Sequence, residues 1–212
     1  RRIDRLKAIQ DKYGTERVKI IGLDVQSQDA TDKLETLIAD LGGMDLYFHA
    51  SGVGTQNVDL LPEIEIQTVK TNCEGFVRLV TFAFNWFYKN KVKGHIAVIS
   101  SIAGTKGLGV APAYSATKAM QNTYIQSLSQ LARIKKADIS FTDIRPGFVA
   151  TDLLNSNKHY PLLMKKEKVA KAIVKVLKSK KRVLVIDWKF RIVVFFWRLI
   201  PSCIWERISV KN

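Results

Sequence analysis

The chain has 212 residues, 47% of them hydrophobic, enough for one substantial core and at most a small appendage. A formal net charge of +15 and a pI near 9.9 point to an anionic partner: nucleic acid, a phosphate-rich cofactor or an acidic membrane surface. Cys73 and Cys203 lie far apart without metal-ligand spacing, and the N-terminus does not read as a signal peptide, so no metal centre is expected and a reducing, cytoplasmic setting is.

The cations are concentrated in residues 1–19, in 133–136 and from Lys158 onward, while the middle of the chain is nearly balanced. No helix-turn-helix, zinc-finger or RNA-binding aromatic signature accompanies them, so nucleic acid is not the expected partner. In chain order, Val18 to Leu23 reads as a strand ending in Asp24-Val25, and Ala30 to Leu41 as a helix stopped by Gly42-Gly43. Leu46 to His49 is a short strand, and Ile64 to Tyr88 holds a long helix with Asn72 inside it. His95 to Ile99 is β-branched and apolar, as expected of a buried parallel strand, and runs straight into Ser100-Ser101-Ile102-Ala103-Gly104. A helix over Tyr114 to Arg133, a strand over Ile139 to Ile144, an amphipathic helix over Val169 to Leu177 and a strand over Arg182 to Ile186 follow. This alternation predicts an α/β fold with a parallel sheet covered by helices.

The most informative local feature is Tyr114 with Lys118, in Ala113-Tyr114-Ser115-Ala116-Thr117-Lys118, with Ser101 thirteen residues upstream. On a helix, a four-residue offset stacks the two side chains on one face. A free phenol has a pKa near 10, too high for efficient proton transfer at neutral pH, and a neighbouring ammonium lowers it. Tyr-x-x-x-Lys is also a common solvated helical pair, so its weight comes from context. Ser101 falls at the carboxyl end of a predicted parallel strand, the edge of an open α/β sheet where ligands bind.

The succession Asp24-Val25, His49-Ala50-Ser51-Gly52, Asn72, Ser101, Tyr114-x-x-x-Lys118 and Pro146-Gly147-x-x-x-Thr151 resembles the short-chain dehydrogenase/reductase family in order and spacing, from Arg1 to about Ile186. The resemblance implies a Rossmann-like doubly wound domain over residues 1–186 and a C-terminal extension over 187–212. It also implies a role for each motif residue. Tyr114 would be the general acid for carbonyl reduction and the base in reverse. Ser101 would hydrogen-bond the substrate oxygen, and Lys118 would lower the tyrosine pKa and bind the nicotinamide ribose. Asn72 would hold a water linking Lys118 to solvent. Asp24 and Val25 would touch the adenine; Ala50, Ser51 and Gly52 would let the backbone approach the cofactor; Pro146, Gly147, Val149 and Thr151 would line the nicotinamide. Family members often form homodimers or homotetramers through the helices that carry Asn72 and Tyr114. Plainer readings stand beside these: Asn72 as an ordinary helix residue, Ser100 as a structural neighbour of Ser101, Gly52, Gly54, Gly104 and Gly147 as turn residues, and Thr151 and Asp152 as helix caps.

Two departures from the family pattern matter. The Thr-Gly-x-x-x-Gly-x-Gly loop that binds pyrophosphate is absent from this sequence, so a segment of roughly forty residues, the usual βαβ start, is expected to precede Arg1. His49 and Ser51 stand where the family commonly has asparagine and alanine. Arg1 and Arg2 occupy the place where the family distinguishes its cofactors, and arginine matches a 2′-phosphate, so NADP(H) is favoured over NAD(H).

Beyond residue 186 the chain is rich in aromatics, with three of its four tryptophans at Trp188, Trp197 and Trp205. Arg191, Arg198 and Pro201 break its apolar runs well short of the eighteen or so residues of a spanning helix. Residues 188–207 therefore suit either a helix lying in an anionic membrane interface or one that packs on the domain beside the substrate cleft. Both point to a hydrophobic, lipid-derived carbonyl or alcohol as substrate. The loop from Leu153 to Lys168, where the family places its substrate lid, does not specify a ligand through Asn155, Asn157, His159 or Tyr160. The expected function is thus an NADP(H)-dependent oxidoreductase, cytoplasmic or peripheral on the inner face of a membrane. The alternative is a catalytically silent protein of the same fold acting as a peripheral membrane or scaffold protein.

Overall fold

The computed structural model describes residues 2–152, 154 and 160–210. Arg1 and the lid residues Leu153, Asn155, Asn157 and His159 lie outside the described residues. Four strands, β1 (Leu46–His49), β2 (Gly94–Ile99), β3 (Ile139–Arg145) and β4 (Val183–Val185), pair in sequential order, and every pairing is parallel. Parallel neighbours need a crossover, and helices supply each one. Helix α3 (Pro62–Val69), a π-helical segment (Lys70–Gly75) and α4 (Phe76–Asn90) link β1 to β2. Helix α5 (Pro112–Ile134) links β2 to β3, and α6 (Lys166–Ser179) links β3 to β4. Two helices, α1 (Ile3–Tyr13) and α2 (Ala30–Asp40), precede the sheet, and α7 (Trp188–Leu199) and α8 (Ser202–Trp205) follow it.

Because successive strand side chains point to opposite faces, β3 sends Ile139 and Phe141 to one side and Ile144 to the other. On the first face Phe76, Val80, Ala83, Phe84 and Phe87 of α4 meet Ile125, Leu128 and Ala132 of α5. On the second, Val169 and Val176 of α6 pack with Phe190 and Val194 of α7 around Ile144. The C-terminal segment therefore belongs to the second core: Phe190 and Val194 are each 4% exposed. Pro201 ends the run of α7 because the residue before a proline is driven out of the helical region, and Ile200 is extended there (φ −70°, ψ 119°).

The strand expected over residues 18–23 does not form; the segment is irregular. A strand is fixed by its ladder partners, and among the described residues this segment has none. Its end is nevertheless placed. Val25 is buried with Ala30 and Leu79, and Gln26 Nε2 donates to Thr71 Oγ1 at 2.8 Å. The long helix expected over residues 64–88 is real but interrupted by the π-helical segment, which carries Asn72. Single π-turns inside α-helices often mark functional positions.

Candidate active site

Three strands end side by side: His49 leads into Ala50 to Gly54, Ile99 into Ser100 and Ser101, and Arg145 into Pro146 and Gly147. Ser100 Oγ donates to Asp143 Oδ1, so that hydroxyl is spent on the sheet. Ser101, 6% exposed, accepts from Ala103 N at 3.1 Å, donates to Pro146 O at 3.5 Å, and favours the ionised form of the Tyr114 phenol. The serine spaced thirteen residues from the tyrosine is thus the one that meets it.

Tyr114 and Lys118 stand on the first turns of α5, which opens with Pro112 at a position where a missing N–H costs nothing. Lys118 is buried. Its ammonium lies 5.8 Å from the Tyr114 ring centroid and donates to Ile99 O at 3.1 Å and Gln121 Oε1 at 3.0 Å. Burial pulls its pKa down to about 8, with Asp143 and Cys73 acting in the opposite direction. The net lowering of the Tyr114 pKa expected from Lys118 is not found: burial of the phenol pushes it up, and the Ser101 hydroxyl opposes this only in part.

Asn72 is fully buried and its side chain is committed. Oδ1 accepts from Val53 N at 2.9 Å, while Nδ2 donates to Val53 O at 2.8 Å and Thr117 Oγ1 at 3.1 Å. The link from Asn72 to Lys118 runs through Gln121, whose Nε2 donates to Asn72 O at 2.8 Å while its Oε1 receives the ammonium. Sequence reasoning missed Gln121, although its position three residues after Lys118 on the same helix face was a usable signal. For Gly54 the plainer reading was a turn residue. Gly54 has no positive φ; a Cβ there would stand 2.7 Å from Tyr114 Cε2, so the glycine is needed because the loop lies against the catalytic candidate. Gly147 is similar, since its Cβ would meet the Phe190 ring at 2.3 Å.

The remaining candidates surround this centre unevenly. Ala50, Ser51 and Gly52 are exposed at the end of β1, and a Cβ on Gly52 would approach Lys118 Nζ to 3.4 Å. Pro146, Gly147 and Val149 are half-buried, Thr151 is exposed, and a bridge from Val149 to Met164 ties this loop to the lid. Asp24 sits at the turn before α2, accepting Gln26 N at 3.1 Å, and Val25 faces the core. Arg2 is exposed and pairs with Asp152 at 3.1 Å; Arg5 pairs with the same carboxylate at 2.9 Å. His49 is buried, hydrogen-bonded through Nδ1 to Tyr47 and set edge-on to Phe76; burial lowers its pKa to about 4, so it is neutral. Among the described residues there is no group of three or more His, Cys, Asp or Glu that could hold a metal.

This arrangement has counterparts. The family model for the short chain dehydrogenases matches residues 1–161. The chain belongs to the short-chain dehydrogenase family. An uncharacterized oxidoreductase of Myxococcus xanthus is 34% identical to it over 170 residues, covering 77% of this chain and 66% of that protein. The chain thus spans about two thirds of that relative's length. A farnesol dehydrogenase of Aedes aegypti is 26% identical over 86% of this chain and 78% of its own. The solved structure of ElxO with NADP bound superposes with a TM-score of 0.74 at 20% identity, over 87% of this chain and 83% of ElxO, a likeness of fold.

Proposed function

We propose that the protein is an NADP(H)-dependent oxidoreductase that reduces the carbonyl of a hydrophobic, lipid-derived substrate, or oxidises the corresponding secondary alcohol. The observation that carries this reading is the buried Lys118 ammonium 5.8 Å from the Tyr114 ring, with the Ser101 hydroxyl at the carboxyl end of β2 acting on the same phenol. The residues present fit the nicotinamide end of a dinucleotide: glycine at position 52 leaves the ammonium within reach of an exposed loop, and the Pro146 to Thr151 loop stands opposite. When bound, the cofactor supplies the hydride. Tyr114 and Ser101 hold the substrate oxygen, and Tyr114 gives its proton to the oxygen as negative charge develops there. A phenol whose pKa is raised by burial keeps that proton at neutral pH and has it available to give. Lys118 holds the nicotinamide ribose and keeps positive charge beside the phenolate that forms.

Arg2 and Arg5 meeting on one carboxylate leave a net positive corner, which supports NADP(H) over NAD(H); solvent screens the pair, so it does not hold Arg2 against a phosphate. The aromatic α7 behind Gly147, and a relative named for farnesol, an apolar alcohol, support a hydrophobic substrate. The two free cysteines support a cytoplasmic setting, and residues 188–207 are suited to rest on the inner face of a membrane. Among the described residues no helix is long and apolar enough to cross one. A homodimer or homotetramer built through α4 and α5 completes the reading.

The test is oxidation of NADPH and NADH against ketones of increasing chain length. The expected result is turnover with NADPH that rises in kcat/KM with apolar length. Turnover confined to short polar ketones would contradict the substrate class, and no turnover with any carbonyl would favour the silent scaffold.

A further inference from the structure

Helix α7 is apolar on two sides. Phe190 and Val194 enter the core, but Trp188, Ile192, Phe195, Phe196 and Leu199 are all exposed, between 47% and 63%. At about 3.6 residues per turn these five fall in one stripe along the outer face of the helix. Lys189 borders the stripe on one side, and Arg191 and Arg198, seven residues apart, border it on the other. No acidic residue occurs from Trp188 to Trp205. At the N-terminal end of the stripe a shallow cleft of about 270 Å³ is lined by Leu162, Leu163 and Met164 and by Lys165, Lys168, Lys189 and Asp187, the carboxylate paired with Lys168 at 2.7 Å. Leu162 and Leu163 are themselves exposed, so the apolar surface continues from α7 onto the lid loop, with lysines where the two meet.

We infer that this stripe and the Leu162-Leu163 loop together form a docking surface for an anionic lipid bilayer, with α7 lying in the plane of the interface. An apolar stripe sunk to the level of the acyl chains, with cations on both borders reaching the headgroups, is the arrangement of an interfacial helix. The charges select the occupant. A second copy of this chain packed symmetrically would bring Lys189, Arg191 and Arg198 against the same cations, with Asp187 already paired to Lys168 and no carboxylate from Trp188 to Trp205 to answer them, on a molecule already carrying +15. A surface of acidic phospholipid neutralises every one of them. The helix is held for this task. Trp205 Nε1 donates to Gly107 O at 2.7 Å, and Lys106 Nζ donates to Ile200 O at 2.8 Å, fixing both ends of the α7–α8 turn to the loop after Ser101. The Val149–Met164 bridge joins the leucine loop to the Pro146 to Thr151 loop. The docking surface is therefore tied to the Pro146 to Thr151 loop, and, resting on the hydrophobic-substrate reading above, its ligand is a carbonyl dissolved in the bilayer.

The test is co-sedimentation of the whole protein with vesicles of phosphatidylcholine, with and without phosphatidylserine, beside sedimentation velocity without lipid. The wild type is expected to bind the anionic vesicles at least about tenfold more tightly than the neutral ones, and less tightly as salt is raised. The double variant Phe195→Ser/Phe196→Ser is expected to lose at least about tenfold in binding while keeping its thermal midpoint, since both rings are already in water. Absence of wild-type binding, or binding unchanged by the double variant, would overturn the inference. So would a self-associated wild type that the double variant turns monomeric without any vesicle binding, which would assign the stripe to a second copy. Vesicle binding needs neither cofactor nor turnover, and NADPH oxidation with a water-soluble ketone is expected to be the same in the double variant, so failure here is distinct from failure of the enzyme reading.

Discussion

Lys118 is the residue on which the site's electrostatics turn, and its burial has opposite consequences for stability and for chemistry. Its folded pKa is about 8 against roughly 10.4 in an unfolded chain. Below pH 8 it is charged in both states and the cost of burying the charge is fully present. Between the two values the unfolded chain binds a proton that the folded one does not, so stability rises with pH across that window, by on the order of a few kcal/mol at most. Activity should move the other way, because a neutral amine no longer supports the phenolate. Urea unfolding and kcat/KM measured from pH 7 to 10 are expected to diverge, and Lys118→Met should abolish the first dependence together with the turnover. A wild type whose two profiles rise together would contradict this. Gly54 is the second sensitive residue. In Gly54→Ala the new methyl displaces the Tyr114 ring, and a misplacement near 1 Å costs roughly 10²-fold in turnover. Unchanged kcat in that variant would show that the close contact does not position the phenol.

At the scale of elements, the loop carrying Gly147 lies directly on Phe190, so a helix outside the motif succession supports the motif. Phe190→Ala is expected to cost about 3–5 kcal/mol in urea unfolding, the usual price of deleting a buried phenyl ring, and to lower turnover as the Pro146 to Thr151 loop loses its support. Destabilisation below 1 kcal/mol would mean that the ring is not the loop's platform. None of this contact was visible in sequence, because Phe190 and Gly147 meet only through the packing of α7 on the sheet. The strands over 46–49, 94–99 and 139–145 were legible, since short aromatic or β-branched apolar runs bounded by polar turns have few other uses. The helix with Tyr114 and Lys118 was legible from its period, though it begins two residues earlier, at Pro112. Residues 18–23 were misread because apolar content says nothing about whether a ladder partner exists. The π-helical segment was hidden because a single wider turn leaves the apolar pattern of α3 and α4 almost unchanged.

For the molecule as a whole, the chemical half of the site rests on a four-stranded parallel sheet whose last core is closed by the C-terminal segment. Truncation after Ile186 exposes the partners of Phe190, Val194 and Trp205. It is expected to lower the thermal midpoint by on the order of 10 °C or more, where an autonomous appendage would leave it unmoved. Proton delivery by Tyr114 at a nicotinamide site is probed by Tyr114→Phe, with NADPH affinity and carbonyl turnover read side by side. Turnover is expected to fall by about 10²–10⁴-fold, the span of a general acid, while the affinity for NADPH stays close to that of the wild type. A variant that keeps most of its turnover would contradict that role.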